Sequence, residues 1–279
     1  MNWFWYLACR LIKPGVVLAA ALVPVPMAAA EDPAEPVDVA LVLAVDVSRS
    51  MSNEELRLQR QGYAEAIRSP EVLAAVRQGA HQRIAIAMFA WAADFSQQEI
   101  FSWRVLETRE DAESLADLIL ASASIPRSRT SISGALQHGV MLLEASPHPA
   151  LRKVIDVSGD GPNNQGDPVL SARQAALDRG IVINGLPLMT RGGPYTSFDI
   201  ANLDAYYHDC VIGGPGSFLV PVTSWTQFPV AVRRKLVQEI GGTSPGKRPV
   251  QLARDDGDGV DCELGEKRWQ QRQWMFDGQ

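Results

Sequence analysis

The sequence predicts an α/β fold: a doubly wound, Rossmann-like and mostly parallel sheet with one antiparallel edge strand and helices on both faces. Three observations predict it. The first apolar run, at residues 37–45, is rich in β-branched residues and too short for a membrane span, as expected for a strand buried on both faces. Helical and strand-like patterns alternate from residue 130 onward. Two strand-like runs, at 83–89 and 101–106, have no helix between them, which predicts an antiparallel hairpin at the sheet edge.

The remaining elements are predicted in chain order from apolar residues at helical or strand spacing. After the first strand we expect a helix at 53–68 and a short one from Pro70 to residue 77, then the hairpin and a helix at 109–121. The repeating part is a helix at 132–144, a strand at 153–158, a helix at 169–179 and a strand at 181–186. A short helix at 201–208, a last strand at 217–222 and an amphipathic helix at 225–240 complete the predicted domain.

The N-terminus has the pattern of a secretory signal peptide. Arg10 and Lys13 precede an apolar run at 16–25, and three alanines at 28–30 fit an A-x-A cleavage site. An uncleaved anchor is the alternative, but three prolines interrupt this segment. We therefore expect export to a bacterial periplasm or the exterior, with no stable membrane span after cleavage.

The 279 residues, of which 46% are hydrophobic and 21% charged, suit one large domain with an appendage. The predicted organisation is a signal peptide at 1–30, a short linker at 31–36, a domain at 37–240 and a C-terminal tail at 241–279. The tail turns to Gly, Pro and charged residues, and its aromatic residues around Trp269 and Trp274 are expected to pack back on the domain.

Charge and cysteine content narrow the class of protein. Without residues 1–30 the chain has 24 Lys and Arg against 32 Asp and Glu, a net charge of −8, which argues against a nucleic-acid partner. The one basic cluster, Arg233 to Lys235, is interpreted as the solvated face of a helix. Cys210 and Cys262 remain in the exported chain, and this even count favours a disulfide, with two unrelated buried thiols as the alternative.

Polar side chains follow the ends of two predicted strands. Asp46, Ser48 and Ser50 come after the first strand, and Asp160 follows the strand at 153–158. Thr130 lies in a polar loop just before a helix. Ligands of open α/β sheets bind outside the carboxyl ends of the strands, and Asp, Ser and Thr oxygens suit Mg²⁺, Mn²⁺ or Ca²⁺ better than zinc.

Helix capping is the alternative role for these hydroxyls. Ser50 or Ser52 can be the N-cap of the helix that follows the first strand, with Glu54 and Glu55 in its first turn. Thr130 can be the N-cap of the helix at 132–144. Capping alone would assign no ligand to this edge of the sheet.

The whole set resembles a known motif. Asp46-x-Ser48-x-Ser50, Thr130 opening a T-x-I-x-x-A-L helix, and Asp160 in S-G-D-G resemble the metal-ion-dependent adhesion site (MIDAS) of von Willebrand factor A-type (vWA) domains. The resemblance covers residues 37–240, and stretches such as 158–164 and 206–218 resemble secreted bacterial relatives of unassigned function.

This resemblance implies one divalent cation, Mg²⁺ or else Mn²⁺ or Ca²⁺, on the top face of the domain. Ser48, Ser50 and Thr130 would bind it through their hydroxyls, Asp46 and Asp160 directly or through water, and a ligand carboxylate would fill one open position. We therefore expect an exported, non-enzymatic, adhesion- or scaffold-type protein that captures an acidic side chain of a protein partner.

The alternative function is a metal-assisted hydrolase that uses the same cation. It requires a general base near Asp160, and the sequence offers no good one. A phosphatase with a phosphoaspartyl intermediate would need a carboxylate at position 48, where Ser48 stands. Asp156, inside an apolar strand, is expected to be buried and hydrogen-bonded in a structural role.

Overall fold

The structure is a computed structural model that describes residues 35–123, 125–190, 200, 202–242 and 260–277, with side chains described as far as residue 271. The predicted signal peptide, part of the predicted linker and residues 243–259 of the predicted tail lie outside this range. The same is true of the side chain of Trp274, whose packing therefore stays a prediction.

One five-stranded sheet forms the centre of the fold, in the order β3-β2-β1-β4-β5. Among the strands that the structure describes, β3 runs antiparallel to its neighbour and the other pairs are parallel. The strands are β1 (Val37–Asp46), β2 (Ile84–Trp91), β3 (Gln97–Leu106), β4 (Ala150–Gly159) and β5 (Ile181–Pro187). The predicted fold class, including the antiparallel edge strand, is confirmed.

The order of the strands places a crevice at one point of the sheet. The chain continues from β1 to β2 on one side, whereas β4 pairs with β1 on the other side, with Leu41 next to both Ile86 and Val154. Connections that leave neighbouring strands in opposite directions open a crevice at their carboxyl ends. In this chain that crevice lies beyond Asp46 and Gly159.

Helices cover both faces of the sheet. They are α1 (Asn53–Ile67), α2 (Pro70–Arg77), α3 (Arg109–Ala121), α4 (Ile132–Glu144), α5 (Val169–Leu177), α6 (Leu203–Tyr206), α7 (Phe228–Gly241) and α8 (Leu264–Asp277), with a π-helical turn, Tyr207–Val211, directly after α6. Leu41 and Leu43 of β1 are buried with residues of α1, α2, α3 and α7, while Val42 and Ala44 are buried with residues of α4, α5 and α6. This alternation explains why the whole of β1 is apolar.

Two sequence predictions at the end of the domain are wrong. Residues 217–222 form no regular strand. Leu219 makes an isolated parallel bridge to β5 and Val222 makes one to Leu188, just after β5, while Pro221 between them has no N–H to donate to a ladder. Lys235 is not on a solvated helix face, because its side chain is fully buried against Asp156. The buried structural role predicted for Asp156 is found.

A disulfide joins the π-helical turn to the segment before α8. Cys210 and Cys262 are bonded, with their Cα atoms 5.5 Å apart and a separation of 52 positions in sequence. The predicted disulfide is confirmed, and it fixes the start of α8 to the domain. Of the helices that the structure describes, none is both long enough and apolar enough to cross a bilayer.

Candidate metal centre

The end of β1 turns sharply at a buried aspartate. Asp46 is completely shielded from solvent, and its Oδ1 accepts a hydrogen bond of 2.6 Å from the backbone N–H of Ser48. An aspartate that binds the backbone two residues on makes an Asx-type turn, which bends the chain out of the strand direction. The hydroxyls of Ser48 and Ser50 are thereby placed above the end of the sheet.

Three of the predicted ligands lie in direct contact. Ser48 Oγ lies 2.9 Å from Ser50 Oγ, and Ser50 Oγ donates to Asp160 Oδ1 at 2.9 Å. Ser48 Oγ reaches the same Asp160 oxygen at 3.4 Å. Because β1 and β4 are neighbours and parallel, their carboxyl ends bring together residues that are 110 and 112 positions apart in the chain.

The N-caps of α1 and α4 are Ser52 and Ser131. Ser52 is the N-cap of α1, where its side chain accepts from Glu55 N and Glu55 in turn accepts from Ser52 N. Ser131 is the N-cap of α4, where its Oγ accepts from Gly134 N at 3.1 Å. The capping alternative is therefore confirmed for Ser52, with Glu54 and Glu55 in the first turn of α1, and it is wrong for Ser50 and Thr130.

Thr130 is held beside the same crevice by the loop that follows β4. Its backbone N–H donates to Asn164 Oδ1 at 2.9 Å, and its carbonyl oxygen accepts from Asn164 N at 2.8 Å. The side chain is buried, and its Oγ1 is the atom nearest to Gly161, 4.0 Å from the position that a Cβ would occupy there. The hydroxyl therefore faces the residue directly after Asp160.

The electrostatics of the crevice suit a cation. Asp46 Oδ2 is buried and, among the residues that the structure describes, has no hydrogen-bond partner. Burial, followed by repulsion from the Asp160 carboxylate, raises the pKa of Asp46 well above its usual value. Two carboxylates that face each other in a buried site are stabilised by a positive charge between them. The donors are hard oxygens, so the site fits Mg²⁺ or Mn²⁺.

Gly159, the last residue of β4, leaves room for the carboxylate of Asp46. A Cβ at Gly159 would lie 2.7 Å from Tyr207 Oη and 3.0 Å from Asp46 Oδ2, closer than side chains tolerate. The two oxygens are therefore at most 5.7 Å apart, the sum of these two distances. Tyr207 Oη is also buried with no hydrogen-bond partner among the described residues, and burial raises the pKa of this phenol.

Sequence comparison places the chain in a family. Residues 36–244 match the profile of a family described as a protein of unknown function (DUF1194). The chain belongs to this family. Among curated proteins, none gives a significant match.

Solved structures share the fold at low sequence identity. Proximal thread matrix protein 1 of the mussel byssus matches with a TM-score of 0.52 and 14% identity, over 72% of this chain and 47% of that chain. The pilus adhesin SpaC from Lactobacillus rhamnosus GG matches with 0.51 and 12%, over 75% and 31%. The vWF domain of the type V pili tip protein Mfa5 from Porphyromonas gingivalis matches with 0.50 and 12%, over 81% and 99%.

The chain spans about half the length of the byssus protein and a third of the adhesin. The likeness establishes the fold, and the predicted vWA-like fold is confirmed. The described residues hold no cluster of three or more His, Cys, Asp or Glu side chains suited to a metal.

Sequence reasoning missed the residues that support this site. The residues that pack around the site include Asn163, Asn164 and Tyr207. None of them stands at the D-x-S-x-S, threonine or aspartate positions of the motif. The adjacent asparagines in SGDGPNN were a usable signal, because asparagine side chains often satisfy loop backbone groups. Tyr207 gave no local signal, since it reaches Gly159 only through the fold.

Proposed function

We propose that this protein binds a protein partner through a divalent cation, which is held by Asp46, Ser48, Ser50, Thr130 and Asp160 and which captures an acidic side chain of the partner. The observation that carries the proposal is the convergence of the Ser48 and Ser50 hydroxyls on one Asp160 oxygen, at 3.4 and 2.9 Å. Hydroxyls so close to two carboxylates form a compact set of hard oxygen donors.

The chemistry of the set explains why the partner would supply a carboxylate. Three neutral hydroxyls and two carboxylates, one of them able to act through water, keep a divalent ion electrophilic and leave a coordination position for a further oxygen. The protein has a negative net charge and repels an acidic partner at long range, but salt screens interactions across solvent beyond about 10 Å. The attraction of the nearby cation for the partner's carboxylate therefore outweighs this repulsion. An acidic side chain gains most from such a site.

The structural neighbours support a binding role. They are a thread matrix protein, a pilus adhesin and a pilus tip protein. Each is named for a part in a byssus thread or a pilus, which supports a scaffold- or adhesion-type function for this domain. We propose Mg²⁺ as the cation, with Mn²⁺ and Ca²⁺ as the other ions of suitable chemistry.

Affinity recovery from a periplasmic extract tests this function. The immobilised protein should retain a partner in Mg²⁺ and release it in EDTA, and Asp160→Ala should retain none in either buffer. Calorimetry with Mn²⁺ should give one site in the parent and none in Asp46→Ala or Asp160→Ala. Equal metal binding by all three proteins would place the cation elsewhere.

We also propose that the domain is not an enzyme. His138 packs edge-on against Phe89, and His208 pairs with Asp209, so each of these two histidines is engaged by a residue that is not a proposed cation ligand. No turnover is expected on generic phosphoester and ester substrates in Mg²⁺. Turnover that requires Mg²⁺ and disappears in Asp160→Ala would support the metal-assisted hydrolase instead.

Export is the proposed location. The signal-peptide pattern at residues 1–30 and the Cys210–Cys262 disulfide support an oxidising compartment. Cell fractionation with N-terminal sequencing of the recovered protein tests this. A reduced protein in the cytosol that still begins at Met1 would contradict export.

A further inference from the structure

The C-terminal helix α8 lies against the loop that follows Asp160. This helix lies beyond residue 244, where the match to the family profile ends. A Cβ at Gly265 would lie 1.9 Å from the carbonyl oxygen of Asn163 and 3.3 Å from the ring of Pro162. The first turn of α8 therefore touches the backbone of this loop at a position that only glycine permits.

Asn163 connects α8 to the start of α4. Its Nδ2 donates to Glu266 Oε1 at 2.7 Å, and its Oδ1 accepts from Ser133 N at 3.0 Å and from Ser133 Oγ at 3.3 Å. The side chain of Asn163 is completely buried. Glu266 of α8 is therefore one side chain away from the first turn of α4, the helix that Thr130 precedes.

The next residue of the same loop holds Thr130 directly. Asn164 bonds both the N–H and the carbonyl of Thr130, at 2.9 and 2.8 Å. Asn163 and Asn164 thus fix the segment from Thr130 to Ser133 at two points. A displacement of this loop would move the Thr130 hydroxyl relative to Asp160.

A second contact joins α8 to the residue before Thr130. The Arg129 guanidinium lies over the Trp269 ring, 3.8 Å from its centroid, a cation–π geometry. Arg129 has a φ of 89°, in the left-handed region that residues with a Cβ avoid. Such strain persists where the surrounding structure fixes the residue, and the Trp269 contact is one part of that surrounding.

Covalent and hydrogen-bonded links fix the start of α8. The disulfide from Cys262 to Cys210 anchors the residues just before the helix. Tyr206 Oη donates to the carbonyl of Cys262 at 3.3 Å and accepts from Asn163 N at 3.2 Å. One hydroxyl therefore connects the anchor of α8 to the same loop.

We propose that α8 acts as a clamp that sets the position of Thr130, so that the affinity of the centre for a divalent cation depends on Glu266 and Asn163 as positioning residues. This inference rests on the proposed function, because it concerns the same cation. Groups that orient a metal ligand without touching the metal typically change metal affinity by about 10- to 100-fold when they are removed.

The test is the dissociation constant for Mn²⁺ alone, measured by calorimetry on the purified full chain. Glu266→Ala and Gly265→Ala should each weaken Mn²⁺ binding by about 10-fold, since both release the loop from α8. Glu266→Gln should bind like the parent, because the amide oxygen still accepts from Asn163. Gly241→Ala is the matched glycine control, since no atom of the described residues lies within 4 Å of the added Cβ.

A double-mutant cycle tests whether α8 acts through Thr130. In a Thr130→Ala background, Glu266→Ala should weaken Mn²⁺ binding no further. Thermal unfolding without added metal checks that each variant is folded, and Glu266→Ala is the variant of choice if Gly265→Ala fails to fold, because Glu266 is partly exposed.

The outcomes separate the two proposals. A parent that binds no Mn²⁺ overturns the proposed function itself. A parent that binds, with Glu266→Ala binding equally well, overturns the clamp alone. A Glu266→Gln variant as weak as Glu266→Ala would assign the effect to charge and would also overturn it, as would an undiminished effect of Glu266→Ala in the Thr130→Ala background.

Discussion

Lys235 Nζ lies 2.6 Å from Asp156 Oδ1, and both side chains are buried in the interior between α7 and β4. The same ammonium contacts Glu239 Oε1, which also accepts from Asn184 Nδ2 at 3.0 Å. One positive charge thus faces two carboxylates away from water. Such a triad is stable only while every member has its partner.

Stability should depend on pH through Glu239. Burial, followed by repulsion from Asp156, raises the pKa of Glu239 from 4.5 to about 7. Between these values the folded protein holds a proton that the unfolded chain has released. The free energy of unfolding should therefore fall as the pH rises from about 4.5 to 7, by at most ~1.4 kcal/mol per pH unit, and level off above pH 7.

Urea unfolding at pH 5, 6, 7 and 8 measures this dependence, with Glu239→Gln as the control. Burial also raises the pKa of Asp156 and therefore acts in the same direction, while Lys235 and Arg152 are the cations that face Glu239. The free energy of unfolding is plotted against pH for both proteins, and the difference between the two slopes gives the contribution of the Glu239 carboxyl. Identical slopes in the two proteins would rule out Glu239 as the titrating group.

Replacement of the buried Lys235 should lower the stability of the protein far more than replacement of the adjacent Arg234. Lys235→Met leaves Asp156 and Glu239 without the lysine counter-charge. Breaking a buried ion pair in this way typically lowers the free energy of unfolding by about 3–5 kcal/mol. Arg234→Ala, on the exposed side of the same helix, should change stability by less than about 0.5 kcal/mol. Chemical denaturation of both variants decides the point, and equal losses would contradict the structure.

Ser50 and Ser52 form a matched pair that separates metal binding from helix capping. Ser50→Ala should weaken Mn²⁺ binding with little loss of stability, because Ser50 Oγ contacts Asp160 and caps nothing. Ser52→Ala should keep the metal affinity and lose about 1 kcal/mol of stability, since it removes the N-cap of α1. Calorimetry and thermal unfolding on both variants give the two readouts. The proposed ligand set would be wrong if the two substitutions affected Mn²⁺ binding alike.

Gly159→Ala should disturb the site although it adds only a methyl group. The new Cβ would lie 2.7 Å from Tyr207 Oη, and overpacking of this kind costs about 1–3 kcal/mol. Tyr207→Phe in the same chain removes that oxygen and should recover part of the loss. Gly161→Ala is the control, since its nearest atom is Thr130 Oγ1 at 4.0 Å. Denaturation midpoints that fall equally in both glycine variants would contradict this account.

Local patterns made most of the fold and the motif predictable. The β1 run is apolar because both of its sides are covered, and the abrupt change to polar residues at Asp46 marks the end of the strand. Contacts between distant residues were not predictable in this way. Lys235 was assigned to solvent because its partners Asp156 and Glu239 are recognised only when α7 lies on the sheet.

The disulfide and the tail also show that contacts between distant residues were harder to predict than local structure. Cys210 and Cys262 could be paired only because no other cysteine remains after residue 30. The tail was expected to pack back on the domain through its aromatic residues, and Trp269 does contact Arg129, but no local signal placed α8 beside Asn163. Pro221 was a signal that the strand predicted at 217–222 would not form a regular ladder.

The bond between Cys210 and Cys262 closes a covalent ring that contains α7 and all residues between the two cysteines. A protease that cuts the chain at any single position within this ring produces two fragments that remain joined. The cut protein would keep α8 attached and would run as two bands only after reduction. In the oxidising compartment that we propose for this protein, where reductants are scarce, a single nick in this region would therefore not release the C-terminal segment.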